Sequence, residues 1–489
     1  MSRILYVYAK GGTALEYAFP RIAACGELHV LALMPLPTAA ADVWRPYCAS
    51  VTEAVPAPAS APATATATAP VPAPALPGAD APTAGDAVTD EIVRVAKHIG
   101  ADAVVTLSEF AVLAVAHAAD RLGLRGAGPA AAERARDKRL MREVWAAAGV
   151  PVPAFRRVGS AAELRAALTD LTPPLLLKAA WSAGSIAQLV LHAPDEADGA
   201  WTRLEQALDK GREIRMSELY ETGADRAVIV EEIVSGAAED WYDRPGHGDY
   251  VSVEGIVAGG VYHPLCITAR LPTIPPFNEV ASTAPCVLPE ALQREIEEVS
   301  RRAVDTLGLD TCGTHTELKL CAGGRLAVIE TAARFGGVMI TRTVEEVFGI
   351  DPIALLVREL LGERADYPER MLTEGTGAAA SLVAAPADAT GTPWRTRPAW
   401  APRSIDWTGI LSPGSAIEAV AAFDLPPGRP APVYDPAAGA ANWLGIFFLT
   451  AADAPALLRD CTSVLACLET ALGRAATRAA TRTTTRTAD

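Results

Sequence analysis

Two glutamates beyond the middle of the chain have the types and spacing to hold a divalent cation. Residues 314–320 and 326–329 have the pattern of two strands, and Gly323-Gly324 between them is typical of a tight turn. Counting back from a two-residue turn, Glu317 directly faces Glu330, with Cβ atoms about 4.5–5.5 Å apart. Facing carboxylates destabilise a sheet unless they are neutralised, and their hard oxygens favour Mg²⁺ or Mn²⁺. The alternative is a hairpin edge that faces water, with both acids solvated.

An arginine and two glycines follow this pair. Arg334 comes four residues after Glu330, and Gly336 and Gly337 come directly after Phe335. A planar guanidinium beside a metal suits a carboxylate or a transferring phosphoryl group, and glycines let the backbone approach a ligand. The alternative for Arg334 is an ion pair with a nearby glutamate.

Two lysines could direct ammonium groups at phosphates. Lys178 ends an apolar strand, and the small residues after it include Ser182, Gly184 and Ser185, which could offer backbone N–H groups and a hydroxyl. A Walker sequence is absent. Lys138 lies on a predicted helix that carries several arginines, so the alternative for it is a solvated helix face.

Composition narrows the class of protein. The 489 residues are 50% hydrophobic and 21% charged, which predicts about three globular domains. A formal charge of −15 argues against nucleic-acid or anionic-membrane partners. The first residues read as a strand and not as a signal peptide, and no apolar run approaches the roughly 20 residues of a membrane-spanning helix. Eight cysteines without a C-x-x-C pair indicate reduced thiols in a cytoplasmic protein.

Two further segments have compositions of their own. Residues 53–88 are mostly Pro, Ala and Thr, which predicts a disordered insertion within the first α/β domain. Residues 474–489 carry arginines at steps of four among Ala and Thr, and we expect a disordered tail, with a basic helix as the alternative.

Seven short motifs, in this order, resemble the ATP-grasp ligases and, within them, the bacterial L-amino acid ligases that join two free amino acids. The motifs are residues 136–138, 149–153, 177–178, 230–232, 249–255, 315–320 and 329–337. The likeness spans roughly residues 100–355. It implies an α/β fold, α+β in the ATP-grasp part. The implied parts are a Rossmann-like pre-ATP-grasp domain (1–128), an ATP-grasp domain (129–355) with a lid at about 150–235, and a mixed C-terminal region (356–473).

The resemblance implies roles for matching residues. Lys138, Lys178 and the loop with Ser182, Gly184 and Ser185 would hold the ATP phosphates. The adenine hinge would be Glu231, Glu232, Ile233 and Val234, and Glu239 would accept the ribose hydroxyls. Mg²⁺ (or Mn²⁺) would bind Glu317 and Glu330. The acid substrate would bind Arg334, Gly336 and Gly337, and Arg334 and Lys178 would be the catalytic residues.

The chain departs from the family pattern at two places. Many ATP-grasp enzymes have an Asn where this chain has Ala332, an omission that the amino acid ligases share. The loop 277–283 lacks the His that these relatives often carry, so Glu279 and Ser282 are the substitutes that we expect at the substrate. Glu109 could hold a substrate ammonium, and its alternative is an acid at a helix start.

The implied activity is ATP-dependent joining of a carboxylate and an amine through an acyl phosphate, with release of ADP and phosphate, and a dipeptide made from two amino acids is the expected product. The expected partners are small-molecule substrates, and a homodimer is a further expectation. The alternatives are a ligase for a different acid or amine, a biotin-carboxylase-like or purine-pathway enzyme, and a nucleotide-binding regulator without catalysis.

Overall fold

The structure is a computed structural model. It describes residues 1–54, 84–184, 187–213, 228–426, 428–436 and 438–486. Ser185, which the sequence assigned to the phosphates, lies outside the described residues. Among the described residues, no helix is long and apolar enough to cross a membrane.

The first part is a parallel sheet flanked by helices, as the sequence predicted. The strand order is β3-β2-β1-β4. The strands are β1 (Arg3–Tyr8), β2 (Glu27–Ala32), β3 (Cys48–Glu53) and β4 (Ala103–Val105), and the helices are α1 (Leu15–Ala23), α2 (Ala41–Trp44), α3 (Ala84–Ile99) and α4 (Val112–Leu122). The predicted limits of the disordered insertion are wrong at both ends, because Glu53 closes β3 and residues 84–88 already belong to α3.

A second, antiparallel sheet with the order β5-β8-β6-β7 follows. Its strands are β5 (Phe155–Val158), β6 (Leu175–Ala179), β7 (Gln188–Leu191) and β8 (Val228–Glu232). The helices of this part of the chain are α5 (Pro129–Arg136), α6 (Lys138–Ala147), α7 (Ala161–Asp170) and α8 (Ala197–Glu213). The sheet falls within the range that the sequence assigned to a lid, and its movement as a lid stays a prediction.

The third sheet has eight strands in the order β13-β12-β9-β10-β11-β14-β16-β15. These are β9 (Tyr250–Ala258), β10 (Val261–Arg270), β11 (Ala281–Ala284), β12 (Cys312–Leu320), β13 (Leu326–Ala332), β14 (Ala378–Ala384), β15 (Ala416–Ala419) and β16 (Gly445–Ala451). The remaining helices are α9 (Glu290–Leu307), α10 (Ile340–Phe348), α11 (Pro352–Leu360) and α12 (Ala454–Arg486). The C-terminal strands β14–β16 therefore extend the same sheet that carries both metal-ligand candidates.

The turn between β12 and β13 differs from its prediction. Leu320 pairs with Leu326, so five residues separate the strands where the sequence predicted a two-residue turn. A hydrogen bond of 2.9 Å from the N–H of Cys321 to the carbonyl of Arg325 closes it. The glycines 323 and 324 both have left-handed backbone angles, φ +67° and +71°, which explains their presence in this tight loop.

A β-bulge further along the hairpin cancels this shift. Leu318 lies opposite Val328, but Glu317 lies opposite Glu330, so Ile329 is an extra residue on β13. The predicted pairing of Glu317 with Glu330 is confirmed, although its reason, a two-residue turn, is wrong.

The predicted disordered tail is wrong for residues 474–486. Helix α12 runs without a break from Ala454 to Arg486. Its first half packs on the large sheet through buried Leu457, Val464 and Leu472, and the alanine-rich sequence that follows continues a helix already nucleated.

Candidate active site

One cavity lies between the parallel sheet, the antiparallel sheet and the eight-stranded sheet. It is lined by most of the residues that the sequence assigned to a site: Glu109, Lys138, Lys178, Ser182, Gly184, Glu231, Glu232, Ile233, Val234, Glu279, Ser282, Glu317, Glu330, Arg334 and Gly337. Of the predicted site residues that the structure describes, Gly336 and Glu239 do not line it.

Glu317 and Glu330 differ in their electrostatic surroundings. Burial raises the pKa of Glu317, and the like charge of Glu330 raises it further. Burial also acts to raise the pKa of Glu330, but the ammonium groups of Lys138 and Lys178 lower it to about 2. The Lys138 Nζ lies 3.2 Å from Glu330 Oε2. The pair therefore presents at least one firmly ionised carboxylate to the cavity.

These two carboxylates fit a magnesium ion. Among the residues the structure describes, no group of three or more His, Cys, Asp or Glu side chains forms a ready-made metal cluster. Mg²⁺ commonly takes only one or two carboxylates and completes its shell with water and substrate phosphates. The mutual repulsion of Glu317 and Glu330 is also what a cation between them would relieve.

Hydrogen bonds fix both the start of α6, where Lys138 lies, and the ammonium group of Lys138. Asp137 caps the N-terminus of α6 by accepting a hydrogen bond of 2.9 Å from the N–H of Arg139. The Lys138 ammonium donates to the carbonyl of Ser182 at 2.8 Å. It is buried, so the solvated helix face that the sequence left open is wrong for this lysine. The contact also ties the loop after β6 to α6.

Lys178 belongs to a buried ion cluster. Its ammonium pairs with Glu231, and the other Glu231 oxygen lies 3.1 Å from Arg142 Nε. Burial alone would raise the pKa of Glu231, but Arg142 and Lys178 lower it. Arg142 was not predicted at this site, although it lies four residues after Lys138 and thus on the same face of α6.

The predicted adenine hinge is fixed to its neighbours by the backbone. The N–H of Glu232 donates to Ala154 at 2.9 Å and that of Ile233 to Pro174 at 3.3 Å. The Glu232 carboxylate accepts from the N–H of Thr172 at 2.9 Å. Beyond the hinge, Glu239 is exposed on a 3₁₀ turn and is not among the residues that line the cavity, so the cavity gives its assignment to a ribose no support.

Arg334 forms an ion pair with Glu109, and both residues line the cavity. Its Nε lies 2.5 Å from Glu109 Oε2, and Arg136 Nη1 donates to Glu109 Oε1 at 2.8 Å. Burial acts to raise the pKa of Glu109, but the two guanidinium groups lower it. The ion pair that the sequence left open for Arg334 is thus present, and it leaves the cluster of two cations and one anion with a net positive charge.

A second charged group that was not predicted, after Arg142, is Arg270. Arg270, almost fully buried, lines the cavity with its Nε 3.6 Å from Glu279 Oε1. Tyr250 donates to the same Glu279 oxygen at 2.5 Å. Ser282, next to Arg270 across the β10–β11 pair, also lines the cavity. Arg270 was missed because nothing in its local sequence distinguishes it from a strand-end arginine.

Glu317, one of the two metal-ligand candidates, is linked to a series of buried polar side chains. His315 Nδ1 lies 2.8 Å from Glu254 Oε1, and His315 Nε2 lies 3.2 Å from Glu317 Oε1. A Cβ at Gly336 would lie 2.9 Å from His315 Nδ1 and 2.6 Å from Ile340, so this glycine serves packing. Gly336 does not line the cavity, where it was predicted to contact the substrate. Its lack of a side chain instead leaves room for His315 and Ile340.

The His315–Glu254 pair should make the stability of the fold depend on pH. Burial lowers the pKa of His315, but the Glu254 carboxylate raises it to about 9, above its ordinary 6.5. The stabilisation is then complete below pH 6.5 and is lost as the pH rises towards 9. Urea unfolding without nucleotide or metal should show a loss on the order of a few kcal/mol over that interval. His315→Gln should remove most of this loss, and the surface variant His98→Gln should keep it. Equal pH slopes for wild type and His315→Gln would contradict the pairing.

Similarity to known protein structures identifies the fold of this chain. No family model matches the chain. A crystal structure of L-amino acid ligase from Bacillus licheniformis superimposes over 95% of this chain and 97% of that one, with a TM-score of 0.68 and 18% identity. The chain has the ATP-grasp fold. The predicted α/β fold class is therefore confirmed, and so is the resemblance to the L-amino acid ligases.

Two further similarities bear on function. Alanine–anticapsin ligase of Bacillus subtilis is 38% identical over 288 residues, which are 59% of this chain and 60% of that relative. The chain thus matches less than two thirds of that relative's length. Biotin carboxylase from Campylobacter jejuni, in complex with an ATP analogue, shares the fold over 92% of this ATP-grasp chain, with a TM-score of 0.61 and 15% identity.

Proposed function

We propose that this ATP-grasp protein is an ATP- and Mg²⁺-dependent ligase that joins the carboxylate of one amino acid to the amine of another. The observation that carries the proposal is the convergence of charges in one cavity. Glu317 and Glu330 form an acid pair, Lys138 lies beside Glu330, and Arg334 lines the same cavity. An acid pair beside phosphate-directed cations and a substrate-directed guanidinium is what activation of a carboxylate by ATP requires.

The names of the relatives support amino acids as the substrates. One relative is an alanine–anticapsin ligase, and a structural neighbour is an L-amino acid ligase. The solved structures of the L-amino acid ligase and of biotin carboxylase, at 18% and 15% identity, share the fold with this chain. The relative at 38% identity is what favours amino acids over bicarbonate as substrates.

In the first step, a carboxylate oxygen of the acid substrate attacks the γ-phosphorus of ATP, and ADP leaves with the electron pair of the broken P–O bond. Lys138 and Lys178 would neutralise phosphate charge, with Lys178 oriented by Glu231. Glu317 and Glu330 would hold Mg²⁺, which when bound supplies charge neutralisation and alignment of the phosphates. The product is an acyl phosphate.

In the second step, the amine attacks the acyl carbon, and phosphate departs with the C–O electron pair and takes up the proton that the nitrogen loses. Arg334 would stabilise the negative charge on the acyl oxygens, as a fixed cation already oriented by Glu109. Glu279, which lines the same cavity, is the carboxylate that we assign to the incoming amine. Arg270 and Tyr250 fix its position.

Acyl phosphates hydrolyse, so the cavity must exclude water during the reaction. The loop after β6 lies over the cavity, and the carbonyl of Gly184 accepts a hydrogen bond of 2.9 Å from the N–H of Ala440 in the C-terminal region. This contact joins the antiparallel sheet to the rest of the protein above the site. It is the cover that we assign to the reacting groups.

A screen of substrate pairs tests the proposal. ADP release coupled to NADH oxidation is measured for all pairs of the common amino acids, with bicarbonate and simple amines as further arms, and products are identified by mass spectrometry. We expect ADP release that depends on an amino acid and a product lighter by one water than the sum of the pair. ADP release only with bicarbonate would favour the biotin-carboxylase-like alternative, and nucleotide binding without turnover would favour the regulator.

Lys138→Gln should weaken the use of ATP more than that of the amino acids. Loss of a charge-assisted contact to phosphate should raise the KM for ATP at least about tenfold, with a smaller change in the KM of each amino acid. Arg139→Gln is the matched control, since Arg139 pairs with Asp137 outside the cavity. An unchanged KM for ATP in Lys138→Gln would remove Lys138 from the nucleotide site.

We also propose that the protein is cytoplasmic, with small-molecule partners and no nucleic-acid or membrane partner, and that it forms a homodimer. All eight cysteines are free, which suits a reducing compartment. The net charge of −15 repels polyanions such as nucleic acids and anionic membranes, so small molecules are the partners that fit this chain. Sedimentation equilibrium measures the oligomeric state.

A further inference from the structure

Arg136 touches two parts of the active site that the proposed function keeps chemically separate. It ends helix α5 with only 2% of its surface exposed. One terminal nitrogen, Nη1, donates to Glu109 Oε1 at 2.8 Å, and the other, Nη2, donates to the carbonyl of Trp181 at 2.7 Å. Its guanidinium also lies 5.9 Å from the ring of Phe110 and 5.8 Å from that of Trp181.

The Glu109 side of this fork leads to the acid substrate. Glu109 Oε2 lies 2.5 Å from Nε of Arg334, the residue that we assign to the substrate carboxylate. A substrate that binds Arg334 and Glu109 therefore fixes the carboxylate to which Arg136 is bonded.

The Trp181 side of the fork leads to the nucleotide. Residues 181–184, here called the phosphate loop, follow β6 and line the cavity from Ser182 to Gly184. Lys138 binds the next carbonyl of this loop, that of Ser182, at 2.8 Å. Phosphates that settle against the loop therefore fix the carbonyl to which Arg136 donates.

We propose that Arg136 is a positioning residue that couples binding of the acid substrate to ordering of the phosphate loop over ATP. The inference rests on the proposed function, and it adds that the two substrates bind with positive cooperativity. Each substrate orders one end of the Glu109–Arg136–Trp181 connection, so the second one to bind meets a site that is already ordered. Linkage requires the effect to be reciprocal, with ATP tightening the acid substrate by the same factor.

The planar fork is what makes arginine necessary here. A lysine at position 136 would keep the positive charge beside Glu109, but a single ammonium does not have the two parallel donors that reach Glu109 and Trp181 together. Charge and coupling can therefore be separated by Arg136→Lys, and Arg136→Met removes both.

The experiment measures coupling and does not depend on turnover. Adenylyl imidodiphosphate with Mg²⁺ is titrated calorimetrically into wild type, Arg136→Lys and Arg136→Met. Each titration is made with and without saturating amino acid, using the one that gives the fastest ADP release in the substrate screen. We expect the amino acid to tighten nucleotide binding about five- to tenfold in wild type and less than twofold in both variants. Hydrogen exchange of the peptide that contains the phosphate loop should slow with the amino acid in wild type alone. Circular dichroism and thermal unfolding verify that each variant is folded.

The outcomes separate this inference from the function on which it rests. An equal coupling factor in wild type and Arg136→Lys, or the absence of coupling in wild type, overturns the role of Arg136 and leaves the ligase proposal standing. If wild type binds no nucleotide in any titration, the ligase proposal itself fails, and the coupling fails with it. Loss of the coupling factor in Arg136→Lys with nucleotide affinity retained supports the inference.

Discussion

Replacing Glu317 and Glu330 together by glutamine should lower amino-acid-dependent ADP release by at least about a thousandfold while the fold is retained. The two carboxylates face each other across the β12–β13 hairpin and are the hard-oxygen pair that we assign to Mg²⁺. Glutamine keeps the size of each side chain but removes the charge that would hold a divalent cation. The loss should appear in kcat, because phosphoryl transfer depends on neutralised and aligned phosphates.

Two exposed glutamates of the same chain provide the control for this prediction. Glu290→Gln with Glu295→Gln removes the same two charges from the exposed face of α9 and should leave ADP release unchanged. Mg²⁺ titration by calorimetry in the presence of ADP should show weakened metal binding in the Glu317/Glu330 variant only. Full activity of that variant would end the metal assignment.

Arg334→Lys should lower kcat by about a hundredfold or more and should also raise the KM of the acid substrate. The guanidinium pairs with Glu109 through a short contact, which orients it at the wall of the cavity. A lysine keeps the charge but loses the planar donors that match a carboxylate and, later, the acyl phosphate. Steady-state kinetics with the best amino acid pair measure both parameters.

Arg342→Lys provides the matched control for that prediction. Arg342 lies eight residues further on, on α10, and pairs with Glu418 away from the cavity. Its replacement should leave kcat within about twofold, as expected for a partly exposed ion pair. Equal behaviour of the two lysine variants would show that Arg334 is a structural partner of Glu109 and not a substrate ligand.

Local sequence signals were sufficient where chemistry depends on neighbours in the chain. The facing of Glu317 and Glu330 follows from two strands and a glycine turn, and it survived an error in the turn because a bulge at Ile329 compensates for it. Lys178 could be placed because it follows three buried leucines near the end of β6. The motif order then identified the ATP-grasp fold, which the structural similarity confirms.

Contacts between distant segments could not be predicted in this way. Arg142 reaches Glu231 across 89 residues, and His315 reaches Glu254 across 61, so neither pair has a signature in a sequence window. Glu239 was placed at the ribose by its position after the hinge alone, and the fold leaves it exposed on a 3₁₀ turn that does not line the cavity. The composition of the tail alone predicted disorder, but the tail continues a helix whose first half is packed on the large sheet.

The most direct measurement of the central claim follows an oxygen atom. The acid substrate is labelled with ¹⁸O in both carboxylate oxygens and incubated with ATP, Mg²⁺, the amine substrate and the protein, and the released phosphate is analysed by mass spectrometry. Activation through an acyl phosphate in this cavity predicts one ¹⁸O in each phosphate, with one ¹⁸O left in the amide. Phosphate without label, or label found in AMP, would contradict it.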